Sequence, residues 1–116
     1  MKMNYKGIIS GFLHNLQCIA DKQYQKRVWI EGRGPECHSF DEAANDFFDD
    51  SEPILENYKD YGLSIYQSRE LKKFYVEFRE FSDQNYFPEE FIDSPAWDRI
   101  TQMAKSVLKL LSTVSP

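Results

Sequence analysis

The sequence predicts an all-α fold, a compact bundle of five or six helices joined by short loops. Apolar residues recur at spacings of three and four through most of the chain, which is the period of one helix face. Serines stand where several of these periodic segments begin, as helix N-caps do. No segment sustains the alternation of apolar and polar residues that a half-buried strand requires. The 116 residues, 41% of them hydrophobic, suit one domain, 1–116, with one core.

The first predicted helix follows an apolar stripe over residues 8–19. After Asp21, we expect a short helix over residues 22–30. The run at 27–30 is equally compatible with a short strand, because its residues include Val, Trp and Ile. Residues 31–36 contain two glycines and a proline and are therefore predicted to form a loop.

Two helices are expected in the middle of the chain. Ser39 is a good N-cap for the first of them, which should end near Asp50. Pro53 suits the first turn of the second, because the N–H that proline lacks would be unpaired there. Gly62 is a favourable residue for the end of this helix.

The C-terminal half contains the longest predicted helix. Ser64 begins it with a capping-box pattern, and its apolar stripe runs over residues 65–82. A turn then leads to the last helix, which has Pro95 in its first turn and either Asp93 or Ser94 as its cap.

The charge of the chain excludes some classes of partner. Asp and Glu number 19 against 14 Lys and Arg, a net charge of −5. Direct binding to nucleic acid or to an anionic membrane is therefore not expected, since both need clustered positive charge. No stretch approaches the roughly 18 apolar residues of a membrane helix. No targeting segment opens the chain, so we expect it to act in the cytoplasm.

Few residues have the pattern of catalytic or metal-binding groups. His14 and Cys18 stand four apart on the first helix, and with Cys37 and His38 they would complete a zinc set. However, the short Cys-x-x-Cys spacing of such sites is absent. Free thiols and a surface histidine are the favoured interpretation. We therefore expect no enzyme activity, no cofactor and no metal.

The strongest feature is an acidic stretch. Residues 41–60 contain eight acids and one base, so they carry −7 while the whole chain carries −5. Aromatic residues are interleaved with these acids, which indicates a folded surface and not a flexible tail. We predict a partner-binding surface here, with Phe48 or Tyr58 as its central anchor. The predicted binding residues are Asp41, Glu42, Asp46, Phe48, Asp49, Asp50, Glu52, Glu56 and Tyr58.

The helix dipole gives a further reason to assign a binding role to some of these acids. Asp46, Asp49 and Asp50 would lie toward the C-terminus of their predicted helix, where the dipole disfavours carboxylates. Acids at a helix start, such as Glu52 after the expected break, need no such explanation. Carboxylates that oppose the helix dipole suggest a role in binding. We expect a partner with a basic cleft, for example a nuclease, whose positive charges complement these carboxylates.

Three segments resemble small bacterial immunity proteins of contact-dependent growth inhibition and related polymorphic toxin systems. They are VWIEGRGPE at 28–36, SFDEA at 39–43 and NDFFDD at 45–50. The resemblance covers residues 4–80 in pattern and is most specific over 29–55. It implies a non-catalytic protein that binds a delivered toxin domain, often a nuclease, and blocks its active site. It carries over no catalytic residue. The alternative is an adaptor or regulatory subunit unrelated to toxins.

Overall fold

The computed structural model describes residues 5–33 and 39–113, and the regular structure within these ranges is entirely helical. In chain order the helices are α1 Tyr5–Ala20, α2 Lys22–Gln25, α3 Phe40–Glu56, α4 Ile65–Gln84, α5 Pro88–Phe91 and α6 Pro95–Leu110. A π-helical segment, Lys26–Ile30, continues α2, and a 3₁₀ turn, Leu111–Thr113, continues α6. The predicted all-α bundle is confirmed. Within the described ranges, no helix is both long and apolar enough to cross a bilayer.

The four long helices form a ring of contacts. Helix α1 packs against α3 and α6, and α4 packs against the same two helices. Helices α3 and α4 are antiparallel: Phe40 at the start of α3 meets Phe78 late in α4, with ring centroids 6.2 Å apart. At the other end, Leu55 and Tyr66 line one groove. Because α3 and α6 each pack against both α1 and α4, these two helices lie diagonally opposite each other in the bundle.

The core is built around one aromatic cluster. Trp97 on α6 is 0% exposed and lies at its centre. Five rings lie within 6.3 Å of the Trp97 ring, centroid to centroid: Trp29, Phe40, Phe78, Phe81 and Phe91. Tilted and edge-on arrangements dominate, as the quadrupoles of aromatic rings favour. Much of the unusual aromatic content is thus used inside the fold.

Gln25 connects this cluster to the end of α1. Its side chain is fully buried, and Nε2 donates to the carbonyl oxygens of Cys18 and Ile19, each at 2.9 Å. Its Oε1 accepts from Trp97 Nε1 at 2.8 Å. The two bonds from Nε2 thus help to satisfy carbonyls at the C-terminus of α1, where helical partners run out.

Gln25→Leu should lower the free energy of unfolding by about 1–3 kcal/mol, because an apolar side chain removes the acceptor of the buried Trp97 Nε1–H and the donor to the Cys18 and Ile19 carbonyls. Chemical denaturation of the purified variant measures this loss. Gln23→Leu is the matched control, since Gln23 is exposed on the same short helix. Equal stability of the two variants would contradict the role given to Gln25.

Several predicted helix starts are confirmed. The Ser64 hydroxyl accepts from the Gln67 N–H at 3.1 Å, and Gln67 Oε1 accepts from the Ser64 N–H at 2.8 Å, so the capping box is complete. Ser94, and not Asp93, caps α6 by accepting from the Trp97 N–H. Ser39 caps α3 in the same way. Local side-chain chemistry sets these boundaries.

The predicted break between Asp50 and Pro53 is wrong, because α3 continues to Glu56 with Pro53 inside it. Ile54 is 0% exposed and holds the last turn on the core side of the helix. Proline removes the bond that the Asp49 carbonyl would accept. Since Asp49 is exposed, water can satisfy that carbonyl. The turn that follows reverses at Gly62, whose φ of +84° suits glycine.

The strand considered for residues 27–30 is also wrong, because the chain there is a π-helical segment. The Glu31 N–H donates to the Lys26 carbonyl, five residues back, at 3.0 Å. In this wider segment the adjacent side chains are both turned inward: Val28 is 5% exposed, and Trp29 packs against the core. The turn expected before α6 likewise contains a short helix, α5.

Candidate functional site: the acidic face of α3

The outward half of α3 carries every acidic residue of that helix. Successive residues turn by about 100°, so Ala43, Phe47 and Ile54 share one face, which is buried. The acids fall on the other half, where the helix has no Lys, Arg or His. We call this surface the acidic face; its members are Asp41, Glu42, Asp46, Asp49, Asp50, Glu52 and Glu56.

Helices α1 and α4 border the acidic face. On the α1 side, a Cβ built at Gly11 would lie 3.9 Å from Asp50 Oδ2, so that carboxylate rests against α1. On the α4 side, Tyr75 donates its hydroxyl to Glu52 Oε1 at 3.4 Å. Asp41, Glu42 and Asp49 are exposed and form no ion pair with any described residue. These three carboxylates are therefore open to a partner.

The continuity of α3 overturns the dipole argument. Asp46, Asp49 and Asp50 lie in the middle of a 17-residue helix, where the dipole has little effect. Glu52 does not begin a helix, and together with Glu56 it lies near the C-terminal end, where the dipole disfavours negative charge. The helix dipole therefore still disfavours some carboxylates of α3, but these are Glu52 and Glu56 and not Asp46, Asp49 and Asp50.

Asp50 is the acid most affected by its surroundings. Its partial burial against α1 raises the pKa of its carboxyl, and the negative charges of Asp46 and Asp49 raise that pKa further. Asp46 stands four residues before Asp50, within the range at which helical neighbours interact, and Asp49 directly precedes Asp50. The bundle thus keeps like charges close together where a mixed surface would be more stable.

Asp50→Asn should increase the free energy of unfolding at pH 7 by only about 0.5 kcal/mol, because the Asp50 carboxyl is partly exposed and solvent screens its interactions. A raised folded-state pKa means that the ionised carboxyl opposes folding, so stability falls as pH rises from the ordinary value of 3.8 through the raised one. In urea melts at several pH values, the stability of the variant relative to the parent should therefore grow as pH rises through this range. Asp41→Asn is the control: it removes a favourable charge from the first turn and should lose a few tenths of a kcal/mol.

The predicted anchor Phe48 is a core residue. It is 6% exposed, and its ring contacts Phe47, Tyr75 and Phe78, with centroid distances of 5.7 Å or less. The Arg79 guanidinium lies over the ring, 4.8 Å from its centroid. In this fold Phe48 is therefore not available as a surface anchor. Two adjacent residues of α3 are both buried because α1 and α4 enclose it from two sides.

Tyr58 lies beyond the end of α3, in the turn before α4. It is partly buried against the core, and Lys59 Nζ lies 6.0 Å from the centroid of its ring. Tyr58 is therefore placed at the C-terminal end of the acidic face and not at its centre.

The residues considered for zinc are only partly described. His14 is exposed and Cys18 is buried, and both line a shallow groove with Lys22 and Lys105. Cys37 and His38 lie outside the described residues. In the parts of the chain that the structure describes, no three His, Cys, Asp or Glu residues are grouped to hold a metal ion.

Sequence reasoning missed a second acidic stretch and the exposed aromatic residues within it. Residues 80–98 contain six acids and no Lys, Arg or His. Tyr86 and Phe87 in this stretch are 61% and 56% exposed. The lack of basic residues in this stretch is visible in the sequence. The exposure of the two rings is not, because it depends on the packing of α4 and α5.

No protein-family model, no curated protein and no solved structure matches this chain.

Proposed function

We propose that this chain is a non-catalytic immunity protein that binds a cognate bacterial toxin domain in the cytoplasm and covers its basic active-site cleft. The observation that carries the proposal is the acidic face: seven carboxylates and no base on the outward half of one helix. From Asp41 to Glu56 the helix rises about 22 Å. That spacing is roughly one charge per 3–4 Å, close to the charge density along one strand of DNA.

This charge density suggests a nuclease as the toxin. A nuclease cleft holds phosphates with Lys and Arg, so a rigid row of carboxylates can occupy it in place of nucleic acid. Because α3 is fixed by core packing along its whole inward face, its carboxylates are presented without a large ordering cost. Complementary fields would also speed the encounter of the two proteins.

The test uses the polypeptide encoded beside the gene for this chain. The two purified proteins should form a stoichiometric complex whose association rate falls steeply as salt rises. Co-expression should restore growth to cells that produce the toxin domain. If no complex forms, or a complex forms without protecting growth, the proposal is wrong. A complex in a metabolic or regulatory system would support an adaptor role instead.

A further inference from the structure

Tyr86 and Phe87 form the most exposed aromatic pair among the described residues. They lie in the short link between α4 and α5, and we call them the 86–87 corner. More than half of each side chain faces solvent, although the Tyr86 hydroxyl donates to the Asp83 carbonyl at 2.8 Å. Two adjacent exposed rings form an apolar patch of the kind that interfaces use.

The charged residues that flank the 86–87 corner in the sequence are all acidic. Asp83, Glu89 and Glu90 are exposed and form no ion pair with any residue in the described ranges. Farther along, Lys22 neutralises Asp93 and Asp98 at N–O distances of 3.6 Å and 2.7 Å. Within residues 83–98, the acids without an ion pair to a residue that the structure describes are therefore the three that lie nearest the two rings in sequence.

The 86–87 corner lies at the same end of the bundle as the start of the acidic face. Phe40, the first residue of α3, packs on Phe91 of α5 with ring centroids 4.9 Å apart. Phe87 precedes α5 and lies about 6 Å along the chain axis from Phe91. Since α3 and α4 are antiparallel, the N-terminal acids Asp41 and Glu42 are on this side. The two negative surfaces thus lie at one end of the bundle.

We infer that the 86–87 corner is the apolar anchor of the interface made by the acidic face, and that its occupant is an arginine-bearing recess at the edge of the same basic cleft. This inference rests on the proposed function. Guanidinium groups stack on aromatic faces and pair with adjacent carboxylates, so one cationic surface satisfies both features. Interfaces generally need a few central aromatic anchors, a role that buried Phe48 does not fill.

The other exposed pair of adjacent large apolar residues, Ile65 and Tyr66, has a more basic environment. These side chains are 56% and 59% exposed, and the groove beside Tyr66 is lined by three bases, Arg69, Lys72 and Lys73, and by two acids, Glu56 and Glu70. This net positive lining favours a basic cleft less than the acids beside the 86–87 corner do. The pair is therefore a matched control: similar exposure, similar apolar size and a different charge around it.

The experiment measures binding of the toxin domain encoded beside this gene to three proteins: the parent, Tyr86→Ala/Phe87→Ala, and Ile65→Ala/Tyr66→Ala. We expect the 86–87 variant to bind at least tenfold more weakly, mainly through faster dissociation, with an unchanged melting temperature. The Ile65/Tyr66 variant should bind like the parent. A conservative Tyr86→Phe/Phe87→Tyr variant, which keeps both rings, should restore most of the affinity.

Each other outcome overturns a different claim. If the parent binds, and binding depends on α3 charges but is unaffected in the 86–87 variant, the anchor is wrong and the proposed function stands. If the parent does not bind, both are wrong. If sedimentation shows that the parent self-associates and that the 86–87 variant does not, the occupant is a second copy of this chain, and the inference is overturned.

Discussion

Trp97→Ala should lower the free energy of unfolding by about 3–5 kcal/mol, which is a large part of the 5–15 kcal/mol that stabilises a typical domain. Trp97 is 0% exposed and contacts rings from the π-helical segment and from α3, α4 and α5. Truncation therefore opens a cavity at the point where these elements meet. The melting temperature should fall by roughly 15 °C.

A graded series separates packing from hydrogen bonding at this position. Trp97→Phe keeps an aromatic ring but removes the donor to Gln25 Oε1, so it should cost about 1–3 kcal/mol. Phe48→Ala, also in the core but nearer the surface of α3, should cost about 3 kcal/mol. Tyr86→Ala should be nearly neutral, because that ring is mostly exposed. If Trp97→Ala loses less than about 1 kcal/mol, the aromatic cluster does not hold the bundle together.

The same variants separate the aromatic residues that stabilise the core from those that are exposed. Composition alone left two uses open for 18 aromatic residues, core packing or interface contact. The structure assigns Trp97, Phe47 and Phe78 to the core and leaves Tyr86 and Phe87 on the surface. Of these five residues, Tyr86 and Phe87 alone can contact a partner without a change of fold.

Local signals predicted much of this fold. Ser39, Ser64 and Ser94 mark helix starts because each needs only a backbone N–H three residues on. Apolar spacing located the long helices for a similar reason, since one face of a helix is defined by the sequence of that helix. These features involve few residues and no distant partner.

The wrong predictions concern features that depend on contacts between residues far apart in the sequence. Proline favours a helix start, yet Pro53 lies inside α3 because burial of Ile54 stabilises the extra turn. The π-helical segment depends on two neighbouring side chains packing inward together. The acidic stretch stays a predicted binding surface, and its acids lie on the outward half of α3; Phe48 is instead buried, because its exposure depends on α4 and the Arg79 side chain.

Charge reversal on the acidic face should have the largest effect on function. Glu42→Lys, Asp46→Lys and Asp49→Lys together place three cations where the proposed partner presents a basic cleft. We expect at least a hundredfold loss of affinity for the toxin domain and loss of growth protection, because like charges at an interface cost several kcal/mol. Stopped-flow association and a growth-rescue assay measure these effects. Asp50 is left unchanged because it rests against α1.

A matched pair of variants tests whether position or net charge matters. Glu42→Gln, Asp46→Asn and Asp49→Asn raise the net charge by three on α3. Lysines at three exposed positions at the C-terminal end of the chain raise it equally on the far side of the bundle: Gln102→Lys, Ser106→Lys and Ser112→Lys. The amide variant should associate about tenfold more slowly at low salt, and the far-side variant much less so. Because the Debye length shrinks from about 10 Å at 0.1 M to 3 Å at 1 M salt, the difference should vanish at high salt. Equal slowing by both variants would mean that total charge, and not a carboxylate row on α3, governs the encounter.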